Sequence, residues 1–215
     1  MPRWEVGSKE RLQQAAMELF EEQGFEQTSA VQIAKRARLT TRTFFRYFTD
    51  KKEVLFADED ALRSALVQEI LQAHDVSEPL QAVTGILAEF DWERLAPRES
   101  LRRRDKIIAS NPYLLERELS KQHQMADELG TALRQRGVGP ESAGLAAHVG
   151  VHVFRTAYRQ WLAAGNDADL ATTTDTVMSL LAAIVPATAS SSLRRASKAG
   201  PRRAKVDAKR ARRAR

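Results

Sequence analysis

The chain has no cysteine among its 215 residues. That excludes a disulfide scaffold, a thiolate-bound zinc and a cysteine nucleophile. A protein without disulfides suits a cytoplasmic setting. Long apolar runs are missing as well. No stretch approaches the ~18 apolar residues of a membrane-spanning helix, and the first ten residues, MPRWEVGSKE, lack the apolar core of a signal peptide. The expectation is a cytoplasmic protein with no membrane partner. Strand signals are nearly absent, because Gly and Pro fall between runs of helical period. There is no Gly-rich phosphate loop, nucleophile elbow or metalloprotease pattern. No catalytic residue, no enzyme activity and no cofactor are expected.

What is present is positive charge, unevenly placed. The net charge is +6. Residues 1–56 hold 10 basic and 8 acidic side chains, residues 57–189 hold 13 and 19, and residues 190–215 hold 11 and 1. The middle is thus slightly acidic and the two ends carry the basic excess. Residues 28–52 hold seven Lys/Arg against the single acid Asp50. A basic cluster on a small domain suggests a phosphate-rich partner.

Periodicity predicts an all-α protein of about nine helices. The first runs from Ser8, a plausible N-cap, to Gln23, with Leu12, Ala15, Ala16, Leu19 and Phe20 on one face and Gly24 as its stop. A second starts at Thr28–Ser29. A third starts at Thr40 and carries Phe44, Phe45, Tyr47 and Phe48. Asp50, with Glu53 at the capping-box position, opens a long fourth helix to about Ala73. Further helices cover Pro79 to about Leu95, Arg98 to Ser110, Pro112 to Arg136, Glu141 to Ala163 and Asp167 to about Val185. From Ser190 the composition turns to Ser, Ala, Arg and Lys, too polar to bury a core. Three domains follow: residues 1–56, residues 57–189 as a helical bundle, and residues 190–215 as a disordered basic tail.

Two short helices joined by a tight turn can place one helix in a major groove. The helix at Thr40–Tyr47 presents Thr40, Thr41, Arg42 and Thr43 at its N-terminal end, types that reach phosphates and base edges. Arg46 lies one turn beyond Arg42 on the same face. Phe44 and Phe48 share another face and should anchor the helix. By composition alone, a solvated polar face on a small bundle reads the same way.

The order of residues says more. From about Lys9 to Phe56, through AAMELFEEQGFEQTSAVQIAKRARLTTRTFFRYFTDKKEVLF, the chain resembles the DNA-binding domain of the TetR/AcrR family of bacterial regulators. The resemblance implies an N-terminal three-helix helix-turn-helix domain followed by a C-terminal bundle for ligand binding and dimerisation. It implies that Thr28 and Ser29 touch the DNA backbone, and that Thr40, Thr41, Arg42 and Thr43 face the groove. Arg42 is the candidate for reading guanine. It also implies that Tyr47 and Lys51 contact phosphates. Two positions depart from the family pattern. Arg38 stands where the turn usually has Gly, so it either tolerates the turn or carries an αL cost, and it could add a phosphate contact. Phe45 stands where Tyr is usual and is left for packing or a thymine methyl.

In the C-terminal bundle the resemblance implies that the last two helices form a four-helix dimer interface. Ligand-lining candidates are Phe90, Ile108, Met125, Phe154, Tyr158 and Trp161. The run Arg102–Arg103–Arg104 reads as solvated. His148 and His152, four apart, could share a metal, but no acidic residue near them on that helix completes a site, and no metal is expected. The function expected is a homodimeric, sequence-specific regulator of transcription. It would be a repressor released from a palindromic operator on double-stranded DNA by a small apolar or amphipathic ligand. The alternatives are a regulator without a small ligand, or a nonspecific nucleic-acid-binding protein that uses its basic tail.

Overall fold

Most helices of the chain begin where a side chain or a proline serves the N–H groups that a first turn leaves free. The computed structural model describes residues 7–165 and 167–185, so the basic tail expected from residue 190 lies outside the described residues. These form ten α-helices and one 3-10 turn: α1 Ser8–Gln23, α2 Ala30–Arg36, α3 Thr41–Tyr47, the 3-10 turn Lys52–Phe56, α4 Glu59–Gln72, α5 Pro79–Glu89, α6 Trp92–Leu95, α7 Arg98–Ala109, α8 Pro112–Gln135, α9 Pro140–Ala163 and α10 Leu170–Ile184. Ser29, Thr40 and Asn111 cap α2, α3 and α8 with their side chains. Prolines open α5, α8 and α9. No described residue is in a strand.

Three expected boundaries differ. Gly7, at φ +91°, precedes α1, and Ser8 is the first helical residue, buried rather than capping. The helix expected from Asp50 to Ala73 is broken. Asp50 does accept from the Lys52 and Glu53 N–H groups, at 2.8 and 3.2 Å, but it starts the 3-10 turn. Val54, Leu55 and Phe56 are all buried in succession, which no single stripe of an α-helix provides. The break also lets Asp58 meet Lys9 and Gln13 of α1, at 2.6 and 3.0 Å. Likewise α5 stops at Glu89, Phe90 is extended, and Asp91 caps the short α6. That bend turns Trp92 inward, where its indole N–H donates to the Leu87 carbonyl at 2.8 Å.

The N-terminal helices share one core, built from Leu12, Leu19, Phe20, Ile33, Phe44, Phe48 and the Val54–Phe56 trio. Ile107, Ile108 and Leu114, from the α7–α8 corner, belong to the same cluster. The bundle that follows is organised on α9, which packs against α5 and α8. Its small residues Ala143, Ala147 and Gly150 are buried. A Cβ at Gly150 would lie 2.6 Å from Val83 of α5, so this helix crossing requires glycine. At its C-terminal end α9 is closed by arginines of α7. Arg98 donates to the Trp161 carbonyl, and Arg102 donates to Leu162 at 2.6 Å, placing cations at the negative end of the helix. Residues to Val177 form one unit, and those from Met178 form a second, of which the final turns of α10 are described.

Candidate functional site

The segment from Ser29 to Tyr47 is held by local bonds that its sequence specifies. Ser29 and Gln32 form a reciprocal capping box at the start of α2. At the other end Arg38 N–H donates to Lys35 and Leu39 N–H donates to Ala34, the paired bonds of a Schellman motif. The residue that motif sends left-handed is Arg38, at φ +57°. Thus Arg38 occupies the glycine conformation without being glycine, at a cost of about 1–2 kcal/mol. Thr40 then caps α3, its hydroxyl accepting from Thr43 N–H at 3.1 Å and meeting the Thr43 hydroxyl at 2.9 Å.

On α3, Phe44 is fully buried and Phe48 follows it into the core. A helical turn of 100° per residue puts Arg42 and Arg46 on the opposite side, with Thr43 beside them. Both arginines are exposed. Phe45 is 56% exposed and meets Phe44 edge-on at 5.4 Å, so it is an apolar group offered outward rather than core packing. Tyr47 is 37% exposed, with the Arg46 guanidinium 4.9 Å from its ring centre.

The seven basic residues of this region are not equivalent. Arg36 is held by Glu18 and Glu22 of α1 at 3.2 and 2.6 Å, and Lys52 by Asp50 at 3.3 Å. Lys51 donates to the Phe25 and Glu26 carbonyls, at 2.7 and 3.2 Å, and lies 4.3 Å from the Phe25 ring centre. It fastens the α1–α2 loop, a role that the sequence does not announce. Lys35, Arg38 and Arg42 are exposed and make no ion pair among the described residues, so with Arg46 they carry the outward charge. Thr28 is a correction. It is 2% exposed, and its hydroxyl donates to the Gly24 carbonyl at 2.8 Å. It is spent on the loop and cannot present itself to a phosphate, whereas Ser29 and Thr41 remain at the surface or half-buried.

The arginines of α7 are bonded to other elements rather than only solvated as expected, although the Arg102 and Arg103 side chains stay 38% and 42% exposed. Arg103 pairs with Glu21 of α1 at 3.5 Å, and Arg104 donates to the Leu55 carbonyl at 2.7 Å. Asn111 donates to Glu26 at 2.9 Å. The α7–α8 corner is therefore bonded as well as packed onto the helix-turn-helix. Behind it lies a charge network of Glu59, Arg104, Asp105, Glu118 and Arg155, in which Glu118 is buried and the others are half-buried. Arg104 bonds Glu59 at 2.7 Å and Glu118 at 3.2 Å, and Arg155 bonds Asp105 at 2.5 Å. Burial pushes the Glu59 carboxyl up to about 7, with Arg104 opposing and Glu118 reinforcing. Burial would also raise Glu118, but the guanidiniums of Arg104 and Arg155 hold it below the usual range. Tyr158, buried beside them, is pushed up to about 12.

Of the ligand-lining candidates, Phe90, Phe154, Tyr158 and Trp161 come together around Trp92, which the sequence reading did not include. Trp92 stacks on Phe154 at 5.2 Å and meets Phe90 and Tyr158 at 5.2 and 5.3 Å, and Tyr158 meets Trp161 at 5.6 Å. Met125 is half-buried on α8. Ile108 is a correction: it is fully buried in the core of the N-terminal helices, because the α7–α8 corner packs there. Two open concavities lie away from the rings, one lined by His74, Val76, Pro79, Arg136 and Ser142, the other by Arg11, Glu18, Arg36 and Arg38. His148 and His152 do not meet. His148 turns instead to His123 of α8, 3.3 Å away.

Comparison with known proteins agrees with this geometry. Residues 12–57 match the family of bacterial regulatory proteins of the tetR type, and residues 77–186 match the MftR C-terminal domain. The chain is 36% identical over 78 residues to the HTH-type transcriptional regulator TcmR of Streptomyces glaucescens, covering 36% of this chain and 34% of that protein. It is 29% identical over 119 residues to the HTH-type transcriptional regulator HbdR of Aromatoleum sp. (strain CIB), covering 53% and 52%. The matches thus span about a third and a half of those relatives. Among solved structures, NalD of Pseudomonas aeruginosa, the secondary repressor of the MexAB-OprM multidrug efflux pump, has a TM-score of 0.54 at 20% identity over 80% of this chain and 93% of its own. A SmeT–triclosan complex has a TM-score of 0.52 at 19% identity over 81% and 91%. No described helix is long and apolar enough to cross a membrane. With both of its segments matched and a helix-turn-helix followed by a helical bundle, the chain belongs to the TetR family of DNA-binding transcriptional regulators.

Proposed function

We propose that the chain is a homodimeric, cytoplasmic repressor that binds a palindromic operator through α3 and is released by a small apolar or amphipathic ligand. The observation that carries the DNA reading is α3 itself: Phe44 and Phe48 hold one side in the core while Arg42, Thr43 and Arg46 stand on the other. Arg42 reads a base edge with Thr40, Thr41 and Thr43 facing the groove beside it, Phe45 meets a thymine methyl, and Ser29, Arg38 and Tyr47 serve the backbone. Two copies would set their recognition helices about 34 Å apart. The three-part division at residues 56 and 189 is part of this reading.

Two observations support ligand control. SmeT, which has this fold, was solved as a complex with triclosan. The α7–α8 corner joins the bundle to the helix-turn-helix through Arg103, Arg104 and Asn111, so a displacement among the rings near α7 would reach α3. Phe90, Met125, Phe154, Tyr158 and Trp161 would line the ligand. A second reading, a regulator with no small ligand, is favoured by the rings packing on one another.

Sequencing genomic fragments retained by the protein should yield one palindrome. Arg42→Ala should then weaken operator binding by about 1–3 kcal/mol more than random DNA. Equal losses on both would make Arg42 a phosphate contact. A screen of apolar and amphipathic compounds should find one that raises the melting temperature and releases the operator. Failure of every compound to do so would favour the second reading.

A further inference from the structure

We propose that His123 and Asp127 of α8 and His148 of α9 form a binding site for a divalent transition-metal cation. Each offers one ligand atom, and the three atoms lie within 4.8 Å of one another. His148 Nε2 is 3.3 Å from His123 Nδ1 and 3.5 Å from Asp127 Oδ1. Metal–nitrogen bonds of about 2.0–2.1 Å at tetrahedral angles put neighbouring ligand atoms about 3.3–3.4 Å apart. These two separations match edges of such a shell, with His148 Nε2 at their shared corner.

A hydrogen bond spans a similar distance, so orientation decides. His148 Nδ1 lies 3.1 Å from the Gly144 carbonyl one turn back on α9. A carbonyl can only accept, so Nδ1 carries a proton, which in the neutral tautomer leaves Nε2 facing the cluster as a lone pair. The carboxylate oxygen opposite it is also a lone pair. A metal ion between the two would satisfy both, replacing the proton that joins them when the imidazole is charged. Outer-shell support of this kind is what holds a ligating histidine in its tautomer. Two imidazoles and one carboxylate suit Zn²⁺, Co²⁺, Ni²⁺ or Cu²⁺ rather than Mg²⁺ or Ca²⁺. His123 and Asp127 are exposed and His148 half-exposed, so an ion has a path in and water completes its shell. The ion would tie α8 to α9, the two longest described helices of the bundle.

The test is titration of the full chain with ZnCl₂ followed calorimetrically, with CoCl₂ as a visible probe. One ion should bind per chain, and an excess of Mg²⁺ should not displace it. His148→Ala, His123→Ala and Asp127→Asn should each weaken binding by more than about tenfold, the lower end of what outer-shell partners alone contribute. His74→Ala and His152→Ala, the remaining histidines, should leave it unchanged. The replaced side chains are at the surface, so circular dichroism should show every variant folded. No binding by the parent chain, undiminished binding by His148→Ala, or loss in His152→Ala would each overturn the proposal.

Discussion

Single residues here carry costs that a contact inventory conceals. Arg38 holds a left-handed backbone that glycine adopts freely. Arg38→Gly should raise stability by about 0.5–1 kcal/mol in urea unfolding, because the αL relief exceeds the added freedom of the unfolded chain. If Arg38 also reaches a phosphate, the same variant should flatten the log–log salt dependence of operator binding by about 0.9. Stability and affinity would then move in opposite directions. Glu59 is the other such residue. One of its oxygens bonds Arg104, while the other is buried without a hydrogen bond, and burial raises its folded-state pKa from 4.5 to about 7. A carboxyl with a raised pKa stabilises the fold below its unfolded value and loses that contribution as pH climbs through the folded one. Glu59→Gln should therefore match the parent near pH 4.5 and exceed it above pH 7, by about 1–3 kcal/mol. Parallel stability curves from pH 4.5 to 8 would show that Glu59 stays ionised throughout.

Among the elements, the start of α8 joins local and long-range order. Asn111 accepts from Tyr113 and Leu114 N–H at 3.1 and 3.2 Å, and donates to Glu26 in the loop before α2. Asn111→Ala removes the cap and that link together and should cost about 1–2 kcal/mol in chemical denaturation. Asn111→Asp keeps the cap oxygens but sets a carboxylate against Glu26. If the cap dominates, Asp should recover most of the loss. If it recovers none, the bond to Glu26 is the larger contribution. The helix start at Pro112 was legible in the sequence, whereas the partner of Asn111, 85 positions away, was not.

For the whole molecule the open question is association. Leu180, Ile184 and Val185 near the end of α10 are 57%, 75% and 56% exposed, and Leu145 of α9 is 68% exposed. Large apolar side chains so placed suit a second copy. Leu180→Glu should convert a dimer to a monomer in light scattering at micromolar concentration and should weaken operator binding with it. A parent chain that is already monomeric would remove these helices as the interface.

Helical period, capping residues and the order of motifs from Leu12 to Phe56 determined the all-α class, the helix-turn-helix and the buried side of α3, because those signals act within a turn or two of chain. The same local signals mark where α8 and α9 begin. They could not show that Thr28 is sealed in the loop or that Lys51 fastens it. Nor could they show that Ile108 belongs to the DNA-binding core, or that Arg102, Arg103 and Arg104 each hold a different element. Those outcomes depend on which helices pack together, and an arginine or histidine in sequence does not name its partner. His148 makes the point most directly: its neighbour at helical spacing, His152, stands apart, while His123, 25 residues earlier, lies against it only because α8 and α9 pack side by side.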